Sequence, residues 1–84
     1  MPISTEVVSE FIAEQAVLLD LRSGKYYRLN PAGTLVWRSL EKGVATDVIC
    51  EAIAAAYDQP RESVCADVLR LLADLTDKGL IEAA

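Results

Sequence analysis

The sequence predicts an α+β fold of the winged helix-turn-helix class, in which an N-terminal three-stranded antiparallel sheet is followed by three helices. Two β-type runs flank a glycine turn between residues 17 and 29, and three helical patterns follow, each with its own start or stop signals. The last two helices are joined by a tight turn, as in a helix-turn-helix. The 84 residues suit one domain with a thin core.

The predicted sheet begins with a short edge strand over the weakly patterned residues 3–11 and continues with strands at 17–21 and 25–29. Gly24 allows the tight turn between the last two strands, because glycine adopts a positive φ at little steric cost. Tyrosines at 26 and 27 favour a pleated surface. Alternation places Val17, Leu19 and Leu21 on one face of the second strand, and Tyr27 and Leu29 on one face of the third.

The first helix begins at Asn30-Pro31, since asparagine caps free amides and proline lacks only an N–H that would be unpaired there. It is predicted to end near residue 42, before Gly43. The second helix is predicted from a Thr46 cap to about residue 57, and the third from about residue 60 to 78, before Gly79. The inward-facing residues are predicted to be Leu35, Val36 and Leu40, with Trp37 half-buried, and then Val48, Ile49, Ile53 and Tyr57.

The composition argues against catalysis, because the chain has no histidine. Histidine is the commonest general base and zinc ligand, and the two cysteines alone cannot close a zinc site. Cys50 and Cys65 both lie in helical patterns and are predicted to be reduced and buried. We therefore expect no cofactor, no metal and no enzymatic activity. Residues 1–12 lack a secretory pattern and no apolar run could span a membrane, so we expect a cytoplasmic protein.

The charge pattern argues against DNA binding, which depends on cations that neutralise phosphates. The net charge is −5, and the predicted third helix alone sums to −1. Residues 22–42 carry +4, whereas the rest of the chain carries −9. A basic hairpin therefore stands beside an acidic helix. Two interpretations remain open: ordinary solvated charge, or a bipolar groove suited to a peptide of mixed charge.

The third helix is more apolar than a surface helix requires. Its apolar arc covers about 200°, whereas a stripe slightly wider than 100° is usual. Either other elements surround this helix, or one edge of its arc lines an open groove. We favour the edge formed by Val64, Asp67, Val68 and Leu71. The strand at 25–29 offers the opposite wall, because a free sheet edge can accept an extended peptide as an added strand.

The run at residues 17–31, with Ala32-Gly33 and Val36-Trp37, resembles the PqqD-like family. Residues 66–68, 71–72, 75 and 79–81 share the resemblance, which covers about residues 14 to 82. Within that family the stretch Tyr26-Tyr27-Arg28-Leu29-Asn30-Pro31 is most similar to the stand-alone recognition proteins of bacterial lasso-peptide biosynthesis. The resemblance implies that residues 1–84 form one recognition domain for ribosomally made, post-translationally modified peptides.

Such domains bind the leader of a precursor peptide as a strand between the third β-strand and the third helix. They deliver it to a separate leader peptidase, a transglutaminase-like cysteine protease, and a cyclase then closes the ring. The charge pattern and the short apolar runs predict that neither nucleic acid nor a membrane is a partner. Carried over, the resemblance implies a leader site at Lys25, Tyr26, Tyr27, Arg28, Leu29, Val64, Asp67, Val68, Leu71 and Leu75.

Three other functions remain as alternatives. The first is a PqqD-type peptide chaperone for a radical SAM enzyme, a partner that no residue of this chain selects. The second is an acidic winged-helix transcription factor, and the third is a small enzyme, which is the least favoured. The ends of the chain match nothing in the family, so the first strand rests on its own weak pattern.

Overall fold

The computed structural model describes residues 2–82. An antiparallel sheet of three strands precedes three helices, which confirms the predicted fold class. The elements are β1 (Val7–Ile12), β2 (Gln15–Asp20), β3 (Tyr26–Arg28), α1 (Pro31–Glu41), α2 (Thr46–Tyr57) and α3 (Arg61–Asp77).

The sheet has the strand order β1-β2-β3, so β1 and β3 are its edges. A two-residue turn at Ala13 and Glu14, both with positive φ, joins β1 to β2. The first strand begins later than the predicted residue 3, because Ile3 instead forms an isolated antiparallel bridge with Ile81. The third strand is also shorter than the predicted 25–29, since only Tyr26–Arg28 is regular.

The helices cover only one face of the sheet, and that face of β2 carries Ala16, Leu18 and Asp20, all buried. Val17 and Leu19 point away from the helices and are half-buried. The predicted alternation of β2 is therefore present, but its bulkier apolar set lies on the outer face. A short alternating strand with apolar residues on both faces does not reveal which face the helices will cover.

Helix α1 begins as its cap predicts: the Asn30 side-chain oxygen accepts a 2.7 Å hydrogen bond from the Gly33 N–H, and Pro31 follows. The prediction for Trp37 was wrong, because its side chain is buried, with 1% exposure, where half-burial was expected. Leu35 was expected to face inward, but it is 39% exposed. Helix α1 packs against β2, α2 and α3 together, which covers Trp37 and leaves Leu35 on the open side.

Helix α2 departs from the prediction at its start and on its surface. Ala45, not Thr46, occupies the N-cap, and no side chain caps the helix. Of the four residues predicted to share its inner stripe, Val48 and Tyr57 are exposed, whereas Ile49 and Ile53 are buried. Ile49 and Ile53 are therefore the residues of the predicted stripe that the neighbouring elements cover.

Helix α3 closes the core with one row of buried residues, Val64, Val68, Leu72 and Leu75. Leu69 lies on its other side with 54% exposure, so the wide apolar arc is not fully covered. The tail packs back as expected, with Leu80 and Ile81 buried. Within residues 2–82, no helix has the length and apolar character needed to cross a membrane.

Candidate functional site

The free edge of β3 presents the backbone groups of two residues. The Asp20 N–H donates to the Lys25 carbonyl and the Leu29 N–H to the Ala16 carbonyl, each at 2.9 Å. In an antiparallel pair, hydrogen-bonded and non-hydrogen-bonded positions alternate. The N–H and C=O groups of Tyr26 and Arg28 therefore point away from β2. No other strand within residues 2–82 pairs with that edge.

The backbones of β3 and α3 stand apart, with no Cα atom of one within 8 Å of a Cα atom of the other, and we call the space between the two elements the cleft. The cleft is closed at one end, where Arg22 Nη2 donates a 2.6 Å hydrogen bond to the carbonyl of Gly79. Near that end, Lys78 Nζ lies 5.6 Å from the centroid of the Tyr27 ring. Neighbouring strands of a sheet lie about 4.8 Å apart, so a strand added at the free edge of β3 would lie at that distance from it.

At the other end of β3 the chain enters a groove of about 490 Å³, between the start of α1, the end of α2, and α3. Its walls are mostly apolar, with a few polar groups at the rim, as is usual for a binding site. The lining residues are Asn30, Ala32, Gly33, Val36, Ile53, Tyr57, Gln59, Val64, Asp67, Val68, Arg70 and Leu71.

Gly33 forms part of the groove where α1 comes close to α3. A Cβ atom at this position would lie 3.1 Å from Asn30 Oδ1 and 3.6 Å from Leu71 Cδ2. The first distance is tighter than an ordinary van der Waals contact, and Asn30 Oδ1 is the atom that caps α1. The absence of a side chain at Gly33 thus preserves both the helix cap and the space beside Leu71.

The α3 part of the sequence-predicted site lies largely along this groove. Val64, Asp67, Val68 and Leu71 all line it, although Val64 and Val68 are buried and also belong to the core. Leu75 does not line it and is a core residue with 2% exposure. On α3, therefore, Asp67 and the half-buried Leu71 are the predicted residues most available to a ligand.

The β3 part of the predicted site does not line the groove. Tyr26 and Arg28 are exposed on the outer face of the sheet, while Tyr27 is half-buried on the face toward the helices. Lys25 precedes the strand, and Leu29 follows it as a buried residue. The β3 part of the predicted site is next to the groove in sequence, because Leu29 is followed directly by Asn30, which lines the groove.

Sequence reasoning missed the walls that α1 and α2 contribute, above all Asn30, Gly33 and Tyr57. Asn30 was interpreted only as a helix cap, a role that it also has. Tyr57 was assigned to the inner stripe of α2, but it is 43% exposed and stands at the end of the groove. A large aromatic residue at a helix end, just before a turn, was the available signal for this wall.

The cations of α3 are paired with carboxylates. Arg70 Nη1 lies 3.0 Å from Asp67 Oδ1, and Lys78 Nζ lies 2.5 Å from Asp74 Oδ1. Arg61 Nε is 3.5 Å from Glu51 Oε1. The hairpin cations Lys25 and Arg28 are exposed and have no ion-pair partner within residues 2–82. Within the same residues there is no cluster of potential metal ligands.

Comparison with known proteins adds a family and two solved structures. The family model described as coenzyme PQQ synthesis protein D (PqqD) matches residues 15–81. The structure of TbiB1 in complex with the TbiA(β) leader peptide superposes with a TM-score of 0.95 at 38% identity, covering 100% of this chain and 98% of that one. The structure of lasso peptide synthetase B1 complexed with the leader peptide gives a TM-score of 0.90 at 25% identity, covering 96% and 95%. A search of curated proteins found no significant match.

Proposed function

The chain belongs to the PqqD family, and from that premise we propose that it binds the leader segment of a ribosomally made precursor, most specifically a lasso-peptide precursor. The observation that carries this proposal is the likeness, over the whole chain, to TbiB1 in complex with a leader peptide. The free β3 edge beside an apolar groove supports it independently, because an extended peptide needs both main-chain partners and side-chain pockets.

In the proposed complex the leader adds as a fourth strand along β3. Its main chain bonds to Tyr26 and Arg28, whose N–H and C=O groups face outward from the sheet. Its inward side chains lie across the cleft toward α3, and one end of the peptide reaches the groove at Asp67 and Leu71. The exposed cations Lys25 and Arg28, which have no ion-pair partner within residues 2–82, attract acidic residues of the leader. Main-chain bonds supply affinity, while the groove supplies selectivity.

We further propose that the protein is a non-catalytic adaptor in the cytoplasm. It presents the bound leader to a separate leader peptidase, a transglutaminase-like cysteine protease, and to a cyclase. The missing histidine supports the lack of catalysis, since no serine or cysteine of the chain has the usual general base. No cofactor or metal enters the proposed function, and neither nucleic acid nor a membrane is a partner.

The sharpest test of strand addition is amide exchange during a titration with the synthetic leader of the precursor encoded beside this gene. We expect the amides of Tyr26 and Arg28 to become protected in the complex. The Leu29 amide is already bonded to Ala16 and should change little, so it serves as the internal control. Full binding with unchanged exchange at Tyr26 and Arg28 would show that the peptide does not add to this edge.

The groove is tested by Asp67→Ala with Glu51→Ala as the matched control. Both carboxylates are exposed on helices and pair with an arginine, but only Asp67 lines the groove. Each change should alter the free energy of unfolding by less than about 1 kcal/mol, because exposed ion pairs contribute little. We expect Asp67→Ala to weaken leader binding by about five- to a hundredfold, and Glu51→Ala to leave it unchanged. Equal affinities for the two variants would remove Asp67 from the site.

One observation favours a second candidate within the same class. The matching family model is described as coenzyme PQQ synthesis protein D. That description suits a peptide chaperone for a radical SAM enzyme. The two structural neighbours favour the lasso-peptide class instead, because both are complexes with a leader peptide and one of them is a lasso peptide synthetase B1. Competition between synthetic leaders of the two precursor classes distinguishes the candidates, since the cognate leader should bind at least tenfold more tightly.

A further inference from the structure

The two cysteines of the chain touch each other across the interface between α2 and α3. Cys50 Sγ lies 2.9 Å from Cys65 Sγ, and both thiols are free. Cys50 is buried with 0% exposure, whereas Cys65 is half-buried and reaches the surface. Both thiols were predicted to be buried; this is confirmed for Cys50 but wrong for Cys65, whose position on α3 leaves it partly exposed. Their contact results from the packing of α2 on α3.

The surrounding geometry suits a bond between these two sulfurs. A disulfide has a sulfur–sulfur distance of about 2.05 Å, so the thiols need to approach by less than about 1 Å. Nearby, Arg61 Nε of α3 lies 3.5 Å from Glu51 Oε1 of α2, so the two helices are in contact at this level. The sulfur atoms are thus already neighbours in the folded chain.

We propose that Cys50 and Cys65 form a site of reversible oxidation, at which a peroxide converts the two thiols into a disulfide that joins α2 to α3. The Cys65 thiolate attacks the peroxide, so the O–O bond breaks and Cys65 becomes a sulfenic acid. The Cys50 sulfur then attacks the sulfur of Cys65, and water leaves. Overall, two thiols and one hydrogen peroxide give one disulfide and two waters.

The structure assigns different roles to the two cysteines. Only Cys65 can meet a peroxide from solvent, because Cys50 is covered completely. Burial and the hydrogen bond to Cys65 raise the pKa of Cys50 to about 11. Cys50 is therefore protonated at neutral pH and a poor first nucleophile, since the thiolate is the reactive form. It is suited to the second step, where it sits in contact with the oxidised sulfur.

A disulfide between Cys50 and Cys65 would link two walls of the groove, α2 and α3. Ile53 lies about one helical turn after Cys50 on α2, and on α3 Val64 immediately precedes Cys65 while Val68 follows it by about one turn; all three line the groove. A disulfide at this point holds the α2 and α3 walls at a constant separation. The oxidation site itself does not depend on leader binding, so its test is independent of the proposed function.

The test uses the purified, fully reduced chain treated with hydrogen peroxide under native conditions. Intact mass should fall by two hydrogens, and N-ethylmaleimide added after denaturation should label neither cysteine. Trypsin should then release residues 43–61 and 62–70 as one linked peptide, because Lys42, Arg61 and Arg70 are the flanking cleavage sites. Dithiothreitol should restore the original mass. The oxidised chain should melt several degrees higher, since a disulfide constrains the unfolded state.

Two variants separate the roles of the cysteines. Cys50→Ser should stop at a sulfenic acid on Cys65 that a dimedone probe traps, whereas Cys65→Ser should stay unoxidised because its remaining thiol is buried. Recovery of the wild-type chain with both thiols still labelled overturns the proposal. A linked dimer between two chains, or oxidation of Cys65 to a sulfinic acid with Cys50 free, overturns it equally. The wild-type measurement stands by itself if either variant fails to fold.

Discussion

Arg22 joins the hairpin to the end of α3, because its Nη2 donates a 2.6 Å hydrogen bond to the carbonyl of Gly79. The same guanidinium reaches the buried Asp20 carboxylate through Nε, at 3.1 Å. Arg22 thus bridges the last residue of β2 and the C-terminal turn of α3. The bridge sets one end of the cleft between β3 and α3. Gly79 has φ +73° and a Cβ there would lie 2.9 Å from the guanidinium, so the contact also depends on glycine.

We predict that Arg22→Ala weakens leader binding several-fold although Arg22 lies outside the proposed contact. The change frees the hairpin from α3 and lets the cleft vary in width. Because its partner Asp20 is buried, the change also leaves a carboxylate without its cation and should lower the melting temperature, so the titration is made well below that temperature. Titration and thermal melting together provide the measurement.

Arg22→Lys is the control for that prediction. Lysine keeps the positive charge but cannot contact Asp20 and Gly79 with two separate nitrogens of a planar group. Affinity should therefore remain reduced. Wild-type affinity for both variants would mean that the contact with Gly79 does not shape the peptide site.

Leu71→Asp should abolish most leader binding while the fold persists, because Leu71 is half-buried and lines the groove. We expect at least a tenfold loss of affinity from an unpaired charge beside apolar ligand atoms. Leu69→Asp is the matched control on the same helix, since Leu69 is 54% exposed and lies outside the groove. Titration of both variants is the measurement, and equal losses would place the site elsewhere.

Val68→Asp should behave differently from Leu71→Asp. Val68 is 4% exposed, so the new carboxylate would be buried in the core at a cost of several kcal/mol. We expect the variant to be largely unfolded by circular dichroism at 25 °C. A folded Val68→Asp protein with normal melting would show that the core around α3 is open to water.

The Asp20 carboxyl predicts how stability responds to acid. Hydrogen bonds from the Arg22 side chain and backbone lower the Asp20 pKa from its ordinary value of 3.8. The unfolded chain therefore binds a proton more readily than the folded one. The stabilisation by Asp20 is complete above about pH 4 to 5 and is lost as the pH falls through the lowered pKa.

Asp20→Asn removes this ionisation with little change in shape. Urea unfolding from pH 7 to pH 2.5 should show a stability difference between wild type and variant that is largest at neutral pH and shrinks below pH 4. A difference that stays constant across this range would mean that the folded and unfolded chains bind the proton equally well at Asp20.

We predict no shift of duplex DNA at physiological salt. Both cations of α3 and Lys78 at its C-cap are paired with carboxylates: Arg61 with Glu51, Arg70 with Asp67 and Lys78 with Asp74. Phosphates would have to compete with those carboxylates on a chain of net charge −5. An electrophoretic shift at sub-micromolar protein, weakened steeply by salt, would contradict the prediction and favour a transcription factor.

The sequence by itself determined the order of the elements and, to within about one residue, the ends of the helices. The Asn30-Pro31 start of α1, the positive φ of Gly43 and Gly79 and the tight turn at Gly24 all appear as predicted. These signals are local, because a cap or a turn depends on residues within one helical turn. The choice of the β3 edge and of Asp67 and Leu71 also came from local patterns, and it stays a prediction.

Only the tertiary structure decided which faces are covered. It buried Trp37 and Asp20, exposed Leu35 and brought Cys50 into contact with Cys65. It also placed Tyr57 on the groove, opposite α3. Residues far apart in sequence meet there because β2, α1, α2 and α3 pack around one small core. The residue pattern of a single helix or strand does not show which neighbouring element will cover it, because burial depends on how all the elements pack together.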